Sequence, residues 1–375
     1  MGKRDSKSSL LSHSEAKVRL LGEYIKRYLN IISNDQYTTK INIHDLFCGG
    51  GLYENGGEGS PLVILNEIKN VHFKNVARLN SIIPIDCYFN DIDKQKIYSL
   101  QKVIQNRSLF YDEFGAINFS SNDYQDELKE LIPLLSGHKK EKFFIFIDPY
   151  GYKEFRIKQI KDLISSGNSE VLLWLPIQFM SRFAAKGTPT ALTNIIEDLS
   201  ENNKRIESSI SAWEFIKWLK IGFTKYLGTN NFFVDTFTIQ KDKNTVFCLF
   251  FFSSHIKGFE KMLEAKWNID TEQGKGWNFR RNQLDLFQQI VKNPFEQNLK
   301  EYLKKKRRYN GDLFEFTLRK SFLPKHTNEI LSNWQKEGIL EVFQSEDQKA
   351  RIGSFYLSYQ YFRDEYKKVY YKLRQ

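Results

Sequence analysis

Cysteine is scarce in this chain. There are three in 375 residues, Cys48, Cys87 and Cys248, far apart and without metal-ligand spacing. That excludes a disulfide scaffold and a cysteine-held zinc site, and it fits a reduced, cytoplasmic protein. The six histidines show no metal-like cluster. No apolar run is long enough to span a bilayer. Phe247 to Phe252 is very apolar, but its length suits a buried strand. Residues 1–14 are polar and basic with no apolar core, which argues against a secretory signal and predicts a disordered lead-in. Internal repeats and low-complexity segments are also lacking. What is abundant is aromatic and basic. Aromatics make up 15% and hydrophobic residues 41%, ample for a sizeable core. The formal net charge of +11 favours a polyanionic partner, nucleic acid first, against the plainer reading of a solvated lysine face.

The length predicts two domains. The first pattern is a helix capped by Ser14, with Val18, Leu21, Tyr24, Ile25, Tyr28, Leu29 and Ile32 on its apolar side. Its basic residues Lys17, Arg19, Lys26 and Arg27 read as a solvated face. A strand over Lys40 to Phe47 then feeds Cys48-Gly49-Gly50-Gly51, and Ser60-Pro61 opens a helix as cap and first residue. Strand, glycine turn and helix form the first unit of a nucleotide-binding α/β sheet. Further strands are expected at Ile85 to Asn90, Ala116 to Phe119, Lys142 to Ile147 and Glu170 to Pro176, with helices between them. Residues 178–228 read as helical and less regular. An antiparallel pair, Phe232 to Gln240 and Thr245 to Ser253, and a helix from Gly258 to Trp267 close the domain. This gives a Rossmann-like domain over 15–270 with helices on both faces of its sheet, and a polar linker over 271–290. A small winged-helix-like domain follows over 291–375, with helices from Pro294, Asp312 and Thr327. Its hairpin is expected from Ile339 to Phe343 and Arg351 to Tyr359. Residues 291–375 hold 18 Lys or Arg and 11 Asp or Glu, so +7 of the charge sits there.

Ligands of an open α/β sheet bind beyond the C-terminal ends of its strands. Asp45 and the glycines end the first strand, Asp91 the second, Asp123 follows the third and Asp148 ends the fourth. A P-loop lacks its lysine here, and the NAD fingerprint fails because Glu54 follows Gly49-x-Gly51. An acid that takes two ribose hydroxyls and another at an adenine amine suit S-adenosylmethionine. The expected cofactor-binding set is Asp45, Phe47, Gly49, Gly51, Ser60, Asp91 and Asp123. Asp148-Pro149-Tyr150-Gly151 is the catalytic candidate. A carboxylate and a nearby carbonyl can accept the protons of an exocyclic amine while an aromatic stacks on the base. The plainer reading is a proline turn after a core strand. Attack on cytosine C5 needs a Pro-Cys nucleophile, and no cysteine here follows a proline, which argues against it. Cys48 reads as a small residue lining the pocket, and His44 as an internal polar group within its strand.

Asp148-Pro149-Tyr150-Gly151 resembles the Asp-Pro-Pro-Tyr of amino-methyltransferases, and more closely the Asp-Pro-Tyr-Gly of tRNA guanine N2-dimethyltransferases. Over residues 15–270 the chain resembles the three-Cys-motif partner (TcmP) family. The carrying residues are Asp45-Leu46-Phe47-Cys48-Gly49-Gly50-Gly51-Leu52-Tyr53, Gly59-Ser60-Pro61 and Asp148-Pro149-Tyr150-Gly151-Tyr152. Cys48 and Gly50 replace the family's usual Ala and Pro. Phe250-Phe251-Phe252 with His255, and Lys261-Met262 with Ala265 and Trp267, resemble the family's closing strand and helix. The resemblance implies a Rossmann-like methyltransferase domain and a neighbouring protein with a three-cysteine, radical-SAM-like motif, but no substrate. Two functions follow as expectations. One is an S-adenosylmethionine-dependent N-methyltransferase acting on an exocyclic amine of RNA or DNA. The other is a non-catalytic module that holds nucleic acid or a partner protein through the winged helix.

Overall fold

The computed structural model describes residues 12–78, 83–149, 151, 155–184, 189–200, 206, 210–242, 245–278, 294–346 and 348–374. The chain divides into two compact units, Met1–Phe279 and Arg280–Gln375.

The first unit alternates helix and strand: α1 (Ser12–Ile32), β1 (Lys40–Asp45), α2 (Ser60–Ala77), β2 (Ile85–Asn90), α3 (Lys94–Asn106), β3 (Ile117–Ser120), α4 (Tyr124–Gly137), β4 (Glu141–Ile147), α5 (Ile157–Ile164) and β5 (Ser169–Leu175). Three helices follow, α6 (Ile177–Phe183), α7 (Thr190–Ser200) and α8 (Ala212–Leu227), then β6 (Phe233–Asp242), β7 (Thr245–Ser253), α9 (Ile256–Ile269) and β8 (Gly276–Asn278). The strands form one sheet in the order β3-β2-β1-β4-β5-β7-β6-β8. Strands β1 to β5 are parallel, and β7 runs antiparallel to both β5 and β6. Chain order reverses between β1 and β4, so a crevice opens at their C-terminal ends.

Successive residues of a strand point to opposite faces, and the aromatics show it. Phe144 and Phe251 meet Tyr24 of α1, at ring centroid distances of 5.5 and 5.0 Å. Phe250 and Phe252 meet Phe223 of α8 on the other face, at 5.5 and 5.0 Å. Phe143, Ile145 and Ile147 join that second core with α4, α5 and α8. Both faces are covered, which is why the central strands read as continuous apolar runs.

Three expectations need correction. Ser14 does not cap α1, which begins at Ser12, so Ser14 is a buried helical residue. Ser60 is not the cap of α2. Gly59 holds that place with no side-chain bond, and the Ser60 hydroxyl bonds Asp45 instead. The stretch read as a linker contributes β8, which pairs with β6 and extends the main sheet.

The second unit contains α10 (Pro294–Lys305), β9 (Arg308–Tyr309), α11 (Asn310–Arg319), α12 (Pro324–Lys336), β10 (Leu340–Ser345), β11 (Gln348–Lys349), α13 (Tyr359–Asp364) and β12 (Tyr370–Leu373). The helices α10, α11 and α12 with the small sheet make the winged-helix arrangement, and α13 lies between β11 and β12 in the chain. The expected return strand over Arg351 to Tyr359 does not form. Gly353 has φ 80° and Tyr356 φ 56°, so the backbone turns out of the ladder. The longer partner of β10 is β12 instead, with Val342 opposite Tyr371.

Candidate active site

A cavity of about 590 Å³ opens at the C-terminal edge of the main sheet. Its floor is the turn after β1. Gly49 and Gly51 have φ of 67° and 81°, backbone that favours glycine. A Cβ on Gly51 would stand 2.6 Å from Leu100 Cδ1. The loop closes on itself, because the Gly59 N–H donates to the Gly51 carbonyl at 2.7 Å and Leu52 bridges Glu58. Ser60, at the start of α2, and Gln95, Lys96 and Ser99, from α3, complete this end.

Two acids brace the glycine turn from behind. Asp91 is 1% exposed. Its Oδ2 accepts the Gly49 N–H at 3.1 Å and faces Lys96 Nζ at 3.4 Å, and its Oδ1 accepts the Asp93 N–H at 3.0 Å. Asp45 is fully buried and accepts the Phe47 N–H at 3.4 Å. Burial pushes its carboxyl up to about 7, with Asp148 adding to the rise and Ser60, Phe47 and Lys17 opposing it. Its Oδ2 has no hydrogen-bond partner among the described residues.

The opposite end holds Asp148 and Pro149, after β4. Asp148 forms an ion pair with Lys17 of α1, whose side chain is 9% exposed against 22% for Asp148. Lys17 is not on a solvated face. It lies on the stripe Lys17, Leu21, Tyr24, Tyr28, spaced i, i+4, i+7, i+11, and all four are buried. Burial pulls its ammonium down, but Asp148, Tyr53 and Asp45 outweigh that, and its pKa stands above the usual lysine value. The ammonium also lies 5.1 Å from the ring centroid of Trp174 on β5. Trp174 stacks on Phe247 of β7 at 4.9 Å and 17°. Carboxylate, ammonium and two stacked rings thus share one wall.

Phe47, Gly49, Gly51, Ser60, Asp148 and Pro149 therefore line a single cavity. Asp45 and Asp91 stand behind its floor. Asp123 does not line it; it caps α4, accepting the Gln125 N–H at 2.8 Å. Tyr150 lies outside the described residues. Cys48 lines the cavity, and burial pushes its thiol up. His44 is buried and stacked on Tyr88 at 4.3 Å, and burial lowers its pKa to about 3. Among the described residues no His/Cys/Asp/Glu group could hold a metal, and no helix is long and apolar enough to cross a membrane. Sequence reasoning missed Lys17, Trp174 and Phe247. The helical spacing of Lys17 with three aromatic or aliphatic core residues was the available signal.

The glycine cradle, the Asp45 oxygen without a partner among the described residues and the acids around it offer acceptors that fit a ligand carrying positive charge and hydroxyls, as S-adenosylmethionine does.

A family model described as a GMT-like wHTH domain matches residues 268–346. No curated protein matches the sequence. Solved structures similar to this chain include Trm1 from Pyrococcus horikoshii with S-adenosyl-L-methionine, at 12% identity and TM-score 0.34, covering 70% of this chain and 61% of that one. An rRNA methylase from Streptococcus thermophilus is 8% identical with TM-score 0.33, over 63% of this chain and 94% of that one. An O-methyltransferase from Bacillus cereus in complex with SAH is 11% identical with TM-score 0.34, over 62% and 80%. The chain thus spans less than two thirds of the Pyrococcus protein's length. Likenesses of this size carry no argument about ligand or substrate. The sheet order and the matched winged helix define the class: a Rossmann-like α/β domain followed by a winged-helix domain.

Proposed function

We propose that this chain is an S-adenosylmethionine-dependent methyltransferase acting on an exocyclic amine of nucleic acid. The observation that carries the reading is the single cavity in which the glycine turn of β1 faces Asp148-Pro149 after β4. Phe47, Gly49, Gly51 and Ser60 would hold the donor's methionine end, with Asp45 beneath them. Asp91, from behind the floor, would take the ribose; Asp123, expected at the adenine edge, caps α4 outside the cavity and is given no donor contact. The bound donor supplies an electrophilic methyl group. The protein's task is to present an amine whose lone pair is delocalised into its ring. Asp148 accepts a hydrogen bond from that amine and favours a tetrahedral nitrogen, while an aromatic residue, Tyr150, holds the base flat. The Lys17 ammonium occupies Asp148 and must share or release it when an amine arrives.

Calorimetry with S-adenosylmethionine, S-adenosylhomocysteine and NAD tests the cofactor. Labelled methyl transfer to purified RNA and DNA pools tests the reaction, and unchanged transfer by Asp148→Ala would remove Asp148 from it. The Lys17–Asp148 pair is also what favours the second reading, a non-catalytic module, because an acid already paired is not free to serve an amine. That reading predicts no binding of either sulfur compound. Membership in the three-Cys-motif partner family, a three-cysteine radical-SAM-like partner and a cytoplasmic setting belong to the same proposal. Affinity capture with the intact chain, scored for a three-cysteine protein, checks the partner.

A further inference from the structure

Away from the cavity, one face of the small sheet in the second unit is organised as a platform. Its strands pair in the order β11-β10-β12-β9. Tyr309 stands opposite Tyr370, Tyr370 opposite Phe343, and Phe343 opposite Lys349. Directly opposed residues of antiparallel strands share a face, so three rings stand in one row across the sheet. The core lies on the other face, where Leu340, Val342 and Tyr371 are each 3% exposed. Within the row, Tyr370 stacks on Phe343 at 5.3 Å and 15°, and Tyr309 meets Tyr370 edge-on at 6.3 Å. Phe343 and Tyr309 are half-buried. Tyr370 is roofed by the Arg307 guanidinium, 4.4 Å from its centroid, and the Lys367 ammonium lies 5.5 Å from that of Tyr309.

The charge around the row is mostly positive. Arg307, Lys349, Lys367, Lys372 and Arg374 surround it. Among the described residues, Glu341 is bound by Lys349 and Arg374 at 2.6 and 2.7 Å, and Glu346 lies 3.5 Å from Arg307. The exposed Lys304, Lys305 and Lys306 immediately precede Arg307. By contrast α12, the helix that a winged helix offers to a DNA groove, carries Lys325 and Lys336 against Glu329. The excess positive charge of this unit therefore lies on the sheet side.

We propose that this sheet face binds single-stranded nucleic acid. Unpaired bases stack on Phe343, on Tyr309 and on the guanidinium plane of Arg307, and the surrounding ammonium groups take the phosphates. A duplex keeps its bases stacked inside and cannot use the rings. The proposal goes beyond the methyl-transfer reading and does not depend on it, since no residue of the cavity takes part.

The test is fluorescence anisotropy of the full chain with a labelled oligouridine of about twenty nucleotides and an RNA duplex of the same length. The single strand is expected to bind more tightly than the duplex. Arg307→Glu and Phe343→Leu are each expected to weaken it about tenfold, the leucine keeping apolar volume so that the sheet still folds. Lys325→Glu and Lys336→Glu on α12 should change it less than about threefold. Tighter duplex binding, no binding of the oligouridine, or a loss carried by the α12 variants overturns the proposal. S-adenosylhomocysteine calorimetry on the same variants should match the wild type, which separates this surface from the cavity.

Discussion

Removing either partner of the Lys17–Asp148 pair should destabilise the chain, and the two losses should differ. The Lys17 side chain is 9% exposed and Asp148 is 22% exposed. Asp148→Asn strands an ammonium with little water, leaving it the Trp174 face and the buried carboxyl of Asp45. Breaking a buried pair in this way costs about 3–5 kcal/mol. Lys17→Met strands a carboxylate that reaches solvent through the cavity, while methionine keeps the packing of the stem, so about 1–3 kcal/mol is expected. The double variant removes both charges and should recover part of the larger loss, giving a coupling of about 1 kcal/mol or more. The assay is urea unfolding of the four proteins followed by tryptophan fluorescence, at fixed pH and salt. If Lys17→Met were the costlier change, or the two losses simply added, the burial-based account of this pair would be wrong. The same variants speak to function: Lys17→Met should leave S-adenosylhomocysteine affinity within about twofold, since no assigned donor contact is touched.

Other expectations follow from separate parts of the first unit. Gly51→Ala forces a Cβ into Leu100 at a φ of 81° and should cost about 2–4 kcal/mol and abolish donor binding by calorimetry. Asp123→Asn should keep the α4 cap and the thermal midpoint, because asparagine caps as well as aspartate, and donor affinity by calorimetry should stay within about twofold, because Asp123 lies outside the cavity. Glu170 is buried against Tyr24 and Ser253, and burial pushes its carboxyl up to about 7. A raised folded pKa means that its contribution is fully present below the unfolded value near 4.5 and is lost as pH rises through about 7. Glu170→Gln should therefore flatten the fall in thermal midpoint between pH 5 and 8, and an unchanged slope would place that titration elsewhere.

Much of the main sheet was legible because buried parallel strands are continuous apolar runs bounded by polar turns. Ile85–Asn90 and Thr245–Ser253 were read with the ends they have. What could not be read was set by distant partners. Three residues, Gly276–Asn278, become a strand only because β6 leaves an open edge for them. The wing's longer partner is β12, some thirty residues past β10, because Gly353 and Tyr356 turn the nearer segment aside. At the site, the glycine turn and Asp148-Pro149 were visible as strand-end motifs. Lys17 was not, since a charged residue on a helix is usually solvated, and only the sheet beneath α1 decides otherwise. Ser60 looked like a cap by type and position, but the buried Asp45 competes for its hydroxyl.

The cavity takes its walls from both ends of the first unit. Lys17 comes from the first described helix and Phe247 from the seventh strand, with Asp148 between. During synthesis, therefore, the glycine turn is made early but the chamber cannot close until β7 has left the ribosome and inserted between β5 and β6. A nascent chain stopped after β5 would carry the whole glycine turn, Asp148 and Trp174 yet lack Phe247, the second ring of the aromatic wall. Ligand capture thus reports that β7 is in place, and any fragment meant to retain the site must reach at least Ser253.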